Sequence, residues 1–117
     1  MNRVIFFYNQ IFTKRDYDRF GIEIIKKRGH DVEIWNFISF YNPEYASKFG
    51  DQSIGENNCI KYFNNRKSII SILKSLTSKD VVIDNYMLSK KLLFKNILNN
   101  KNIQIGAFLT GMVPINN

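Results

Sequence analysis

Two residues bound the nucleophilic and metal chemistry open to this chain of 117 residues: His30 is its only histidine and Cys59 its only cysteine. A Ser-His-Asp or Cys-His arrangement would have to use His30. That residue follows Gly29 at an expected helix end, where nothing nearby orients an imidazole, so it reads as an ordinary surface residue. Cys59 reads as a small buried hydrophobe rather than a reactive thiol. One cysteine makes neither an intramolecular disulfide nor a Cys-based zinc site, and one histidine makes no His-rich site. No metal or other cofactor is expected.

The remaining polar candidates fall just after expected strands. Asn9 and Gln10 are followed by Thr13-Lys14-Arg15-Asp16, which reads as a helix start, with Thr13 as N-cap and Asp16 at the third helical position. Backbone N–H groups at such an end attract anions, and Lys14 and Arg15 would add full positive charge for a phosphate. The plainer reading is that Thr13 and Asp16 only cap and the basic residues are solvated. Asp84, Asn85 and Tyr86 form a second polar cluster, either a site or a turn, and Thr110 and Gly111 a third. Named phosphate motifs are missing. There is no G-x-G-x-x-G after the first strand and no G-x-x-x-x-G-K-[ST] anywhere, which argues against a standard dinucleotide site, a nucleotide sensor and a P-loop enzyme. Tyr8-Asn9-Gln10 offers no adjacent carboxylates for a phosphoacceptor domain, and the hydrolase elbow G-x-S-x-G is absent.

The elements that must position these residues alternate along the chain. Residues 4–8 form an apolar run of strand length, rich in β-branched and aromatic side chains. A helix is expected from Thr13 to Gly29, with Tyr17, Phe20, Ile24 and Ile25 on its buried face and Lys26-Lys27-Arg28 in its last turn. Residues 31–37 give a second strand, with Val32, Ile34 and Asn36 on one face and Glu33 and Trp35 on the other. That is one parallel crossover unit, right-handed by rule. Residues 38–58 are too long for an ordinary connection, so they form a functional loop or hold a short helix near residues 44–49. Residues 59–63 read as a weak strand and 66–76 as an amphipathic helix. Residues 80–83 read as a fourth strand, Ser89 as the cap of a helix over 90–98, and 103–109 as a fifth strand. This pattern predicts a doubly wound α/β domain, with a mainly parallel five-stranded sheet in order 3-2-1-4-5 and helices on both faces, a Rossmann-like arrangement. In such a sheet ligands collect at the carboxyl ends of the strands, where the winding reverses.

Composition fits one such domain. Apolar residues make up 44% and charged residues 23% of the chain, and a domain of this length buries about two-thirds of the surface its unfolded chain exposes. The formal net charge is +7, with the cations spread over every helix and no aromatic-interleaved RNA motif, so nucleic acid is not the expected partner. A basic surface near Phe40, Tyr41 and Tyr45 would suit an anionic membrane or a lipid diphosphate. No stretch approaches the ~18 apolar residues needed to span a bilayer. Residues 4–8 are too short for a signal-peptide core. The expected location is therefore cytoplasmic, with any membrane contact peripheral and on the inner face.

The pattern Val4-Ile5-Phe6-Phe7, then Phe12-Thr13-Lys14-Arg15-Asp16-Tyr17-Asp18-Arg19-Phe20-Gly21-Ile22-Glu23, then Gly29-His30-Asp31-Val32-Glu33-Ile34-Trp35, resembles the opening of bacterial surface-polysaccharide proteins related to glycosyltransferases of the GT-B architecture. The resemblance covers roughly the first 40 residues. It implies that residues 1–117 are one Rossmann-like domain, the N-terminal, acceptor-side part of a larger two-domain transferase acting in polysaccharide or lipopolysaccharide assembly. Such a domain would be inactive alone, because the second domain grips the nucleotide-sugar donor. The implied partners are a nucleotide sugar and a glycan or lipid-linked acceptor. No catalytic residue can be carried across, since the donor-binding acidic motif belongs to the other domain. The alternative is a stand-alone, non-catalytic interaction or ligand-sensing module whose aromatic segment, Phe40 to Tyr45, docks on a partner or on a second copy of itself.

Overall fold

Arg3 and the apolar run that follows it form β1 (Arg3–Tyr8), the central strand, in the computed structural model, which describes residues 2–49, 59–99 and 101–107. It is hydrogen-bonded on both edges, to β2 (Asp31–Asn36) and β4 (Val81–Asp84), and is covered on both faces. That double burial is why its residues need no polar alternation. With β3 (Ile60–Tyr62) and β5 (Gln104–Gly106) outside them, the five strands are all parallel in the order β3-β2-β1-β4-β5. The expected fold class is the observed one, a Rossmann-like α/β arrangement.

The period of two along β1 divides the core. Ile5 and Phe7 point to one face, where they meet Trp35, Phe37, Leu73 and Phe94. Phe6 and Tyr8 point to the other, where Phe12, Phe20, Ile22 and Ile34 gather. Phe7 anchors the first cluster, with its ring centroid 6.0 Å from Trp35 and 5.6 Å from both Phe37 and Phe94. Val32 and Ile34 lie opposite Trp35, as the alternation along the second strand predicts. Cys59 is buried in the second cluster.

The connection from β1 to β2 departs from the expected single helix. It is broken into α1 (Lys14–Arg19) and α2 (Ile22–Lys27) at Gly21, whose φ of 66° is left-handed. The break shifts the helical phase. Ile22 is fully buried and Ile24 is 60% exposed, whereas an unbroken helix would have turned Ile24 inward. Gly29 ends α2 with a φ of 89°, as expected.

After β2 the chain forms α3 (Ile38–Tyr41) and α4 (Pro43–Phe49), so the first half of the 38–58 segment is helical rather than an open loop. Phe40 and Tyr41 pack half-buried against the first core cluster, and Tyr45 of the same segment is exposed. α5 (Arg66–Lys74) starts at Asn65, whose Oδ1 accepts from the Ser68 N–H at 2.8 Å. It buries Ile69 and Leu73 on the first face. The helix after β4 also starts differently from expectation. A 3-10 turn (Leu88–Lys90) precedes α6 (Leu92–Leu98), and Ser89 is not its cap. Instead the Asp84 carboxylate accepts from the Leu88 and Ser89 N–H groups at 2.9 and 2.8 Å, so the tight turn forms there first. β5 is shorter than expected, and Thr110 and Gly111 lie outside the described residues.

Toward the amino ends of the strands a polar network ties the sheet together. Arg3 donates from Nε and Nη2 to the two oxygens of Asp80 at 3.0 and 2.9 Å, and Asp80 also accepts from the Thr77 N–H at 2.8 Å. Glu33 accepts from the Trp35 indole at 2.8 Å and pairs with Lys61 at 2.9 Å. Burial works against the charge of both carboxylates. For Asp80 the bonds from Arg3 and Thr77 outweigh it, and for Glu33 those from Trp35 and Lys61 do, so both pKa values lie below the ordinary range.

Candidate functional site

The winding reverses between β1 and β4, so the carboxyl ends of these strands are where the fold leaves room for a ligand. That crevice is filled from within. The Tyr8 and Tyr86 rings meet edge to face at 5.2 Å, and the Tyr8 hydroxyl lies against Tyr86 and the Asp16 carboxylate. Burial first, then hydrogen bonding to Tyr86 and Asp16, pushes the Tyr8 phenol above the usual tyrosine range. Next to this pair Asp84 is 4% exposed, with both oxygens engaged by the turn that follows. Met87 in that turn has a φ of 56° and a side chain 62% exposed, a left-handed conformation that an unbranched side chain adopts only under constraint. The bonds to Asp84 supply that constraint.

The expected capping box is present. Thr13 Oγ1 accepts from the Asp16 N–H, and Asp16 Oδ2 accepts from the Thr13 N–H at 3.0 Å. A buried carboxylate thus occupies the end of a helix of only six residues. Lys14 pairs with Asp18 at 3.1 Å on a solvent-exposed flank, and Arg15 is also exposed. The structure brings Thr13, Asp84 and Tyr86 to the same end of the sheet as Asn9, while the charges of Lys14 and Arg15 point to solvent.

An open cleft lies one strand over, at the carboxyl ends of β1 and β2. It encloses about 340 Å³ and is lined by Asn9, Gln10, Ile38, Tyr41, Asn42 and Tyr45. Its walls are clamped by Asn36, which is fully buried. The Asn36 Nδ2 donates to the Gln10 carbonyl at 2.8 Å, and its Oδ1 accepts from the Ile38 N–H at 3.0 Å, so one amide fixes the loops after both strands. Among the described residues Asn9 Oδ1 is a buried side-chain oxygen without a hydrogen-bond partner. Among the described residues no lining residue carries a formal charge, but Lys91 stands at the border, with its Nζ 4.7 Å from the Tyr41 ring centroid.

Asn9 and Gln10, singled out for their place after the first strand, line this cleft, as do Tyr41 and Tyr45 of the aromatic segment, whereas Asn42 and the clamp Asn36 were not singled out as site residues. The same strand-end rule, applied after Asn36, would have found them. His30 stays remote from this cleft; its Nδ1 accepts from the Asn2 N–H at 3.2 Å. Among the described residues no three His, Cys, Asp or Glu side chains come together to hold a metal, and no helix is long and apolar enough to cross a membrane. Comparison of the chain with protein-family models, with curated proteins and with solved structures finds no match in any of the three.

Proposed function

We propose that this domain is the acceptor-side half of a two-domain sugar transferase of surface-polysaccharide assembly, and that the cleft between the loops after β1 and β2 receives the hydroxyl-bearing acceptor. The observation that carries the reading is the lining itself. Three amide side chains, Asn9, Gln10 and Asn42, stand beside Tyr41 and Tyr45, with no charged residue in the lining among the described residues. Planar amides offer a donor and an acceptor side by side, which matches the paired hydroxyls of a sugar ring, and tyrosine rings cover its C–H face. Asn9 Oδ1, buried and without a partner among the described residues, becomes an acceptor for a hydroxyl when the Asn9 side chain turns toward the cleft. A nucleotide diphosphate would find no countercharge in this lining, so the donor belongs to the second domain, in keeping with the resemblance of the first 40 residues. The domain by itself then binds acceptor without transferring sugar. Phe40 and Tyr41 are partly buried against the core and Tyr45 is exposed, so in this reading the aromatic segment serves the cleft rather than a partner protein.

Amide chemical-shift titration tests this directly, with an N-acetylhexosamine disaccharide, a nucleoside diphosphate, a nucleotide sugar and a short prenyl diphosphate as separate probes. Saturable shifts with the disaccharide at Asn9, Gln10 and Asn42, weakened about tenfold in Asn9→Ala, support the reading. Saturation by the nucleoside diphosphate alone, or no saturable response at these residues, overturns it.

A further inference from the structure

The acidic residues of this protein are not distributed like its cations. In residues 63–79 and 85–107 there is no Asp or Glu. The two gaps correspond to α5, the 3-10 turn and α6, which lie side by side over one face of the sheet. α5 and the turn after it carry Arg66, Lys67, Lys74 and Lys79, and the second gap carries Lys90, Lys91 and Lys95, all exposed. The carboxylates that interrupt this run, Asp80 and Asp84, are both buried and bonded within the fold. The cations between Lys14 and Arg28, by contrast, share their helices with Asp16, Asp18 and Glu23.

Between α5 and α6 runs an open groove of about 370 Å³, lined by Ile70, Leu93 and Ile97 with Arg66 and Lys74 along its rim. Leu92 stands at its edge, 74% exposed. Leu92 continues the apolar lining of Ile70, Leu93 and Ile97 out to the surface, on a helix that carries Lys95 and no carboxylate.

We propose that the α5–α6 face binds an anionic lipid bilayer, with the cations on the headgroups and Leu92 and the groove entering the interfacial layer. Charge selects this occupant. A second copy of the chain would place like charges opposite each other across an isologous contact. An acidic protein would be attracted too, but it would have to match the fixed spacing of these cations and cover Leu92 at the same time. A bilayer needs no register, attracts each lysine independently and accommodates a protruding apolar side chain. Lys91 joins this face to the cleft through Tyr41, so a docked domain would hold the cleft beside the headgroups. The proposal does not depend on what the cleft binds.

Co-sedimentation of the full chain with vesicles provides the test, using phosphatidylcholine alone and phosphatidylcholine with about 30% phosphatidylglycerol. Binding is expected only to the anionic vesicles, and it should fall steeply as salt rises from about 0.1 M to about 0.5 M. The triple variant R66Q/K74Q/K95Q should bind about a hundredfold more weakly, at roughly fivefold per cation. The charge-matched variant K26Q/K27Q/R28Q on α2 should lose less than about fivefold, since those residues lie outside the proposed face. Leu92→Ala should weaken binding severalfold with no change in net charge. Circular dichroism melts establish that each variant is folded. Equal loss in the two triple variants reduces the effect to net charge and overturns the proposal. So does equal binding to both vesicle types, or binding to polyglutamate but to neither vesicle.

Discussion

The Arg3–Asp80 contact sets up a quantitative test of what holds the sheet together. Asp80 Oδ2 accepts from Arg3 Nη2 at 2.9 Å and from the Thr77 N–H at 2.8 Å, while Oδ1 accepts from Arg3 Nε at 3.0 Å. In Asp80→Asn either orientation of the amide turns an NH2 group toward at least one of these donors and removes the charge that Arg3 faces. Charge-assisted bonds contribute about 1.5–3 kcal/mol each, and losing one partner of a fully buried pair costs about 3–5 kcal/mol. The Arg3 side chain is 27% exposed and regains part of its hydration, which places the expected loss at about 3 kcal/mol. For a domain of this size that lowers Tm by about 12 °C. The pH dependence gives the sharper check. The Asp80 pKa is depressed in the folded chain, so the unfolded chain takes up the proton first. The stabilisation is therefore complete above the unfolded value, near ~3.9, and is lost as pH falls through the lower folded value. Glu33 shares Arg3 with Asp80, at 3.5 Å, so the comparison is made in a Glu33→Gln background that removes its titration from the difference. Urea midpoints with and without Asp80→Asn in that background should differ fully from neutral pH down to about pH 5 and converge below about pH 4. A difference under about 1 kcal/mol at neutral pH would refute the assignment of this pair as a principal tie, and so would one that persists unchanged in acid.

Three further outcomes follow from the same geometry. Gly21→Ala should cost about 1 kcal/mol in chemical denaturation, purely from the left-handed φ of 66°, because a Cβ there meets nothing within 4 Å. Asp84→Ala removes the acceptor for two turn amides and should cost about 2 kcal/mol, with the Leu88 and Ser89 amides becoming the most accelerated in hydrogen exchange. Tyr8→Phe should cost about 1 kcal/mol, and its effect should be non-additive with Asp16→Asn by about 0.5 kcal/mol or more, since the Tyr8 hydroxyl lies against the Asp16 carboxylate.

The order of elements was legible because each is written locally. The unbroken apolar run of β1 requires cover on both faces, the alternation along β2 divides Trp35 from Val32 and Ile34, and the spacing of Ile69 and Leu73 gives α5 its buried stripe. The capping box of Thr13 and Asp16 was equally visible, being a contact three residues long. Even the strand order follows from crossover handedness and connection length.

What stayed hidden depended on partners distant in sequence or on a shift of phase. Nothing in the run from Thr13 to Gly29 announces that Gly21 will take a left-handed conformation and put Ile22 rather than Ile24 on the sheet. That choice belongs to the packing of Phe20 and Ile22 against Phe6, Ile34 and their neighbours. The cleft appears only when the buried Asn36 amide bonds across to the Gln10 carbonyl, 26 residues earlier, and ties the loop after β1 to Ile38. Arg3 and Asp80 are 77 residues apart. The even scatter of lysines along the chain resolves into one cationic face, with no exposed carboxylate among the described residues of α5 and α6, only when those helices lie together and the fold buries Asp80 and Asp84. Local propensity and periodicity therefore determined which elements form and in what order. Which polar groups meet, which aromatic side chains turn inward and where the charge gathers were decided by tertiary packing, because contact energies act in space and leave no spacing to read along the chain.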